Sequence, residues 1–384
     1  MALTSCRHFN GYKPCGKNAV CDSSCPSRDI PRLRLLMIHL GAMGAVVRST
    51  SLLAAMKRKY PSSHITWVTE KPMHLLLADH PRIDRVLTTS NEDQLALRAL
   101  EFDMAFVIDK SLTASGLLRL TKADLVYGFQ ADPATGAILP ATAAAEELWQ
   151  LGLSDHQKFF VNQKPETQLL VEALELGPHH RDEYDLPLAY RDREVTQRRQ
   201  VNWRMQSDQP LIGFNTGCGP LMPAKKWTVE FHRLVLKHLL GLGYVNLVLL
   251  GGPEDEERNR AIAQDLPVIQ SPTRNGVRDG MQSIAACDIV VTGDSFGMHL
   301  AIAMRKFVIA WFGPSCAHEI DLFERGVALK AAVPCSPCWK RHCAKTQMCY
   351  DQVSVIEIEL ALEKGRDWWT QNSPQMPSPQ APLP

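Results

Sequence analysis

Short apolar runs without polar alternation recur along this chain, each followed by a small-residue turn and then by a pattern of helical period. Residues 34–40 (RLLMIHL) lead into a glycine-bearing turn at 41–44 and a helical pattern through Ser51, Leu52, Ala55 and Met56. Strands apolar on both faces belong in a parallel sheet covered by helices on each side. Further runs at 64–68, 84–87, 104–108 and 125–129 extend this series, and a second series occupies 211–214, 245–250, 289–291 and 307–312. A helix over 165–176 and a charged stretch at 179–206 separate the two. With 384 residues and 45% hydrophobic content, the chain can bury two ordinary cores. The pattern predicts an α/β protein made of two doubly wound parallel-sheet domains in tandem, facing across a cleft. A last helical pattern at 353–369 runs into a proline-rich tail, 373–384, expected to be disordered.

Charge narrows the function. Forty-two Lys and Arg face forty-one Asp and Glu, for a formal net charge of +1, so nothing advertises a nucleic-acid partner. The first fourteen residues are polar, and no run approaches the roughly eighteen apolar residues of a membrane span. The expected location is cytoplasmic, with peripheral association with the inner membrane as an added option.

Three strand ends in the second half carry groups that suit phosphate and ribose. At 291–314 an acidic, glycine-bearing turn with Asp294, Ser295 and Gly297 lies between an apolar strand and a helix expected to start at His299. Freed backbone N–H groups at such a turn can hold phosphate. Asn215-Thr216-Gly217 follows another strand, with Lys225 and Lys226 soon after, and phosphate oxygens suit both cations. Leu249-Leu250-Gly251-Gly252-Pro253-Glu254 is a strand ending at paired glycines with a carboxylate beyond, able to accept from a ribose hydroxyl. Each feature has a plainer reading: solvated lysines, an ordinary turn, acidic residues in a helix first turn, and a structural histidine.

Residues 292–314, with 249–254 and 35–53, resemble glycosyltransferase family 9, the ADP-heptose:lipopolysaccharide heptosyltransferases. The resemblance spans about residues 33–362 and rests most on Asp294-Ser295, on Gly297-Met298-His299 and on Phe312-Gly313-Pro314. It implies a GT-B fold, two Rossmann-like domains with the nucleotide sugar held by the C-terminal one and the acceptor by the N-terminal one. By the same resemblance, Thr216 and Lys225 or Lys226 would meet the diphosphate and Glu254 the ribose. Asp294, Ser295, Gly297, Met298 and His299 would meet the phosphates and donor sugar, His299 with a catalytic part. Family members write D-S-G-P-M-H where this chain has Phe296 after Ser295.

A larger departure sits in the first turn. The family usually has L-G-D-V, whose aspartate is taken as the base that deprotonates the acceptor hydroxyl, whereas this chain reads Met43-Gly44-Ala45-Val46. Alanine cannot accept a proton, and an inverting displacement calls for a base opposite the leaving diphosphate. Asp109, ending the apolar run at 104–108, is the replacement candidate; alternatively it caps the next helix. Lys110 could hold an acidic acceptor or a donor phosphate.

Eight of eleven cysteines fall into two sets. Cys6, Cys15, Cys21 and Cys25 precede the first strand; Cys335, Cys338, Cys343 and Cys349 follow the last, opening on a Cys335-Ser336-Pro337-Cys338 knuckle of metal-site spacing. A structural zinc or iron held by thiolates is the reading, with unligated thiols and one shared site as alternatives. The resemblance adds that a C-terminal cysteine cluster occurs in a subset of relatives, including protein-modifying heptosyltransferases. Cys218, Cys287 and Cys316 read as small packing residues.

The expected domains are a cysteine-rich extension at 1–32, an acceptor domain at 33–178, a linker at 179–206, a nucleotide-sugar domain at 207–350 and a helix at 351–372. The expected function is an inverting glycosyltransferase moving heptose from ADP-heptose to a lipopolysaccharide-core, other glycan or protein acceptor, with no catalytic cofactor. The resemblance makes it independent of a D-x-D metal motif. A nucleotide-sugar-binding protein that lost catalysis at Ala45, and a nucleotide-sugar epimerase of the same fold, are the rival readings.

Overall fold

The structure, a computed structural model, describes residues 5–9, 11–204, 207–220, 222–346 and 348–372; the expected disordered tail at 373–384 lies outside them. The chain forms two compact units. One runs through Ala189 and includes His318–Asp321; the other begins at Tyr190 and takes the rest.

The first unit is built on β1 (Leu33–Ile38), β2 (Ser63–Val68), β3 (Arg85–Leu87), β4 (Glu101–Val107), β5 (Lys122–Ala131) and β6 (Ile138–Pro140), in the order β3-β2-β1-β4-β5-β6. All pairs are parallel except β5 with β6. Leu36, Ile38, Val68, Ala105 and Val107 form one buried face with Leu117 and Leu118 of the helix Leu112–Arg119. Each such large side chain, fully buried, contributes roughly 1.5–3 kcal/mol.

The second unit carries β7 (Ile212–Asn215), β8 (Leu247–Leu250), β9 (Ile269–Gln270), β10 (Ile289–Gly293), β11 (Phe307–Phe312) and β12 (Gly326–Lys330), all parallel, in the order β12-β11-β10-β7-β8-β9. Ile212, Phe214, Leu247, Leu249, Ile289, Val291, Ile309 and Trp311 pack against Val235, Leu236 and Leu239 of the helix Val229–Gly241 and against Ile358 and Leu362 of the helix Val355–Asn372. Among the described residues, no helix is long and apolar enough to cross a membrane.

Both sheets are doubly wound, and in each the strand order reverses once, between β1 and β4 and between β7 and β10. A crevice opens at the carboxyl ends of the strands at such a point, where ligands bind in open α/β sheets.

Two expectations change. The charged stretch 179–206 contains a helix, Tyr190–Trp203, in the second unit. It docks on the helix Val277–Ala286 by charge rather than by an apolar stripe. Fully buried Asp192 takes Arg278 Nη2 at 2.5 Å and Gln282 Nε2 at 2.8 Å, and Arg199 reaches Asp279 Oδ1 at 2.7 Å and Ser283 Oγ at 2.9 Å. The helix expected to begin at His299 starts three residues earlier, as Phe296–Ala303 with Ser295 at its N-cap. The first intrahelical N–H bond is that of His299 to Ser295 O, at 3.3 Å, so the N–H groups of Phe296, Gly297 and Met298 form the open end.

Candidate active site

In the second unit the switch point gathers three of the sequence-predicted strand ends. Asn215, the last residue of β7, donates through Nδ2 to Gly217 O at 3.1 Å, Thr292 Oγ1 at 3.1 Å and Ser295 Oγ at 3.0 Å. It thereby ties the β7 turn to the β10 turn and fixes the entry to the helix Phe296–Ala303. Gly297 is required there, because a Cβ would come within 2.6 Å of the Asn215 carboxamide. Met298 and His299 are buried in the first turn.

Asp294 holds the centre. Its Oδ2 takes Lys225 Nζ at 2.6 Å, and His299 Nε2 lies 4.0 Å from Oδ1. Burial works to raise the Asp294 pKa, but the charges of Lys225 and His299 outweigh it and hold the carboxyl below its ordinary range. Lys225 also lies under the Trp339 ring, 4.5 Å from its centroid. Lys226 forms no ion pair among the described residues and lies near Cys218 and Asp255. The two lysines therefore diverge: one braces the acidic turn, and the other stays available to an anion.

The Thr216 hydroxyl is fully buried, bonding Asn259 Oδ1 at 2.5 Å and Leu250 O at 3.3 Å. In this arrangement it joins β7 to β8. Glu254 is exposed, whereas Asp255 beside it is buried and accepts from the Gly252 N–H at 3.0 Å. The Asp255 carboxylate fills the space over Gly217, where a Cβ would meet it at 1.9 Å. Asp255 is thus a site residue that strand-end reasoning passed over; its signal was its place at the third position of a turn that needs its N–H groups capped. Beyond the ends of β8 and β9 a cavity of about 390 Å³ is lined by Glu256, Asn259, Gln270, Ser271 and Arg274.

In the first unit Asp109 lies at the end of β4, at the other switch point. It does not cap the following helix: Ser111 does, accepting from Ala114 N at 3.2 Å. Asp109 Oδ2 instead accepts from Leu40 N at 2.6 Å, and the Gly41 N–H adds a second bond. Burial, helped by the charge of Glu70, outweighs those N–H bonds and pushes the Asp109 carboxyl up to about 6. Glu70, exposed just beyond β2, is a second carboxylate near this strand edge and was legible only as a strand-end acid. Lys110 is an exposed residue, yet its ammonium end lies 4.8 Å from the Phe129 ring centroid and donates to Leu148 O at 2.6 Å. That desolvated end explains a pKa lowered to about 8. His39 at the end of β1 is buried, bonds Ser49 Oγ at 2.7 Å and is lowered to about 3 by burial and Arg48, so it stays neutral.

No disulfide joins the eleven cysteines, all of which lie among the described residues. The sulfurs of each set neighbour one another: burial first, then Cys338, Cys343 and Cys335, raises Cys349 to about 11, and burial, Cys25, Cys15 and Cys6 raise Cys21. Among the described residues, no three metal-ligating side chains converge on a single point. The C-terminal loop hangs from the end of the signature turn, with Cys338 N at 3.1 Å and Trp339 N at 2.8 Å from Pro314 O, and Ser336 Oγ at 2.6 Å from Gly313 O. This anchoring carries Trp339 over Lys225.

The family model for glycosyltransferase family 9 (heptosyltransferase) matches residues 94–349. The chain belongs to glycosyltransferase family 9. It is similar to lipopolysaccharide heptosyltransferase 2 of Salmonella typhimurium, 24% identical over 304 residues that cover 74% of this chain and 83% of that protein. Among solved structures it is similar to the family 9 glycosyltransferase of Veillonella parvula, with a TM-score of 0.68, 18% identity and coverage of 87% and 97% of the two chains. It also resembles the iron-containing heptosyltransferase TibC of enterotoxigenic Escherichia coli in complex with ADP-D-beta-D-heptose, with a TM-score of 0.53, 11% identity and coverage of 89% and 79%. The two parallel-sheet units have the GT-B fold of these enzymes, and the chain is a glycosyltransferase.

Proposed function

We propose that this glycosyltransferase moves a heptose from ADP-heptose to a lipopolysaccharide-core or other glycan or protein acceptor, with inversion at the anomeric carbon. The carrying observation is the β7/β10 switch point, where Asn215 clamps Ser295 and the Lys225–Asp294 pair braces the turn below three open N–H groups. Family membership and the heptosyltransferase relatives support the sugar and the nucleotide.

In this reaction the donor diphosphate takes hydrogen bonds from the N–H groups of Phe296, Gly297 and Met298 and the charge of Lys226. The cavity beyond β8 and β9 suits the nucleoside, its polar lining offering both donors and acceptors. The acceptor oxygen forms its bond to the anomeric carbon as the bond to the diphosphate breaks and ADP leaves with the electron pair. Asp109, in the first unit, takes the acceptor proton; a carboxylate near pKa 6 is largely ionised at neutral pH and more basic than an ordinary aspartate. His299 steadies Asp294 from within the helix.

The thiols of each set neighbour one another without converging on a point, so a soft structural metal, zinc or iron, would have to draw Cys335, Cys338, Cys343 and Cys349 together, and a second one Cys6, Cys15, Cys21 and Cys25. Such an ion would supply cross-linking of its loop. Eleven cysteines with no disulfide among the described residues suit a reducing compartment, and we propose a cytoplasmic location, with peripheral association with the inner membrane.

Mass spectrometry of purified protein incubated with ADP-heptose and truncated glycan acceptors tests the reading; acceptor heavier by one heptose is the expected product. Ala45 favours a second reading, donor binding without transfer. Nucleotide binding with neither transfer nor hydrolysis across a panel of nucleotide sugars would establish it.

A further inference from the structure

The opposite edge of the first sheet holds a polar cluster that sugar transfer does not use. Three successive strands begin with basic or polar residues: Arg34 in β1, His64 and Thr66 in β2, and Arg85 in β3. Parallel pairing sets Arg34 beside His64 and Thr66 beside Arg85. Residues paired across parallel strands, and residues two apart along one strand, project from the same face. All four groups therefore share one face at the amino-terminal edge, whereas Asp109 lies past the carboxyl end of β4.

The segment before β1 closes over this face, and Arg7 fastens it. The Arg7 N–H donates to Asp29 O at 2.7 Å, and its guanidinium reaches Asp29 Oδ2 at 2.9 Å, Asp84 Oδ1 at 2.6 Å and Ser63 O at 3.0 Å. A cavity of about 120 Å³ remains, with Arg7, Arg34, His64, Thr66 and Arg85 in its lining. Liquid water occupies about 30 Å³ per molecule, so the space suits a few waters or one tetrahedral oxyanion.

The local charge selects between these. Asp84 is committed to Arg7 and to the Ile65 N–H at 2.7 Å. Glu101, the carboxylate in the lining, is 75% exposed along its side chain and lies 3.8 Å from Lys122. Arg34 and Arg85 form no ion pair among the described residues; burial lowers the Arg85 pKa, the nearby Asp84 charge opposes this, and the Arg34 charge adds to it. Thr66 Oγ1 is fully buried and has no hydrogen-bond partner among the described residues. Buried hydroxyls are nearly always bonded, so an orphan one facing two unpaired guanidinium groups marks a position for an acceptor with negative charge.

We infer that this edge of the first unit, closed by the cysteine-bearing segment, binds a phosphate-class oxyanion at a site distinct from that of the donor diphosphate. The arginine forks and the Thr66 O–H donate to its oxygens, and the bound anion relieves the repulsion between Arg34 and Arg85. Occupancy would also hold the segment more tightly against the domain.

Calorimetric titration of the full chain with inorganic phosphate, with ADP present to occupy the donor site, tests this. One phosphate should bind, and Arg34→Met and Arg85→Met should each weaken it about tenfold, the loss expected for a charge-assisted hydrogen bond. Thr66→Val, matched in shape, should weaken it less, and none of the three should change donor turnover. No phosphate binding by the wild type, or binding that all three substitutions leave untouched, would overturn the inference. A parallel arm offers phosphatidylcholine vesicles with and without phosphatidic acid. Sedimentation with the phosphatidic acid vesicles that Arg34→Met abolishes would place the oxyanion on a lipid headgroup. Phosphate binding without sedimentation would assign it to a soluble phosphate.

Discussion

Lys225 Nζ lies 2.6 Å from Asp294 Oδ2, and both side chains are only 12% exposed. A pair this enclosed is worth little as net stability, yet breaking it by removing one partner leaves a charge in a poorly solvated place. Asp294→Asn should therefore cost about 3 kcal/mol in urea unfolding, and Lys225→Met/Asp294→Asn together should cost less than the sum of the single changes. Additive losses would show that the two residues act separately.

Asp109→Asn keeps an oxygen for the Leu40 N–H but cannot take a proton. If Asp109 is the base, kcat should fall about 10²- to 10⁴-fold with donor KM little changed. In the wild type the active form is the carboxylate, so kcat/KM should be full above the folded pKa and lost as pH falls through about 6. Stability runs the other way. A carboxyl whose folded pKa is raised lends stability that is full below its unfolded value near 4 and lost as pH rises through about 6. An unchanged pH–rate profile in Asp109→Asn would transfer the role to another group, with Glu70 the first to examine.

Trp339 sits in left-handed backbone at φ 50° and covers Lys225. Replacing it by leucine removes a cation–π contact of about 1 kcal/mol, so donor KM should rise about fivefold while kcat changes little. Donor titration at saturating acceptor reads this directly.

Gly297→Ala would drive a methyl group into the Asn215 carboxamide at 2.6 Å. The clamp must shift, at a cost of about 1–3 kcal/mol. Thermal unfolding should register the loss, and nucleotide affinity should fall with it because the open N–H groups move.

Elemental analysis of purified protein should find zinc or iron near one per thiol set, and a strong chelator should lower the unfolding temperature. Cys338→Ser should reduce the metal content and weaken donor binding through Trp339, since Cys338 and Trp339 both hang from Pro314 O. Metal-free protein with unchanged stability would leave the thiols unligated.

The central strands were legible because a strand buried on both faces needs an unbroken apolar run; residues 307–312 coincide with β11. The short or half-exposed edge strands β6, β9 and β12 left too little buried face to be read, whereas β3, also at an edge, was caught at 84–87. The helix Tyr190–Trp203 escaped because its contacts are ion pairs, and charge in a sequence reads the same whether solvated or paired.

The site divides along the same line. Local chemistry determined the small-residue turns, the acids and lysines beside them, the cysteine sets and the loss of a proton acceptor at Ala45. Only the tertiary structure decided what each side chain faces. Lys225 turns to Asp294 while Lys226 forms no ion pair among the described residues, Thr216 and Asp255 point into the fold while Glu254 points out, and Asp109 holds the β1 turn instead of capping a helix. Such choices follow from which strands are neighbours at a switch point, and strand order is fixed by contacts between residues far apart in the chain.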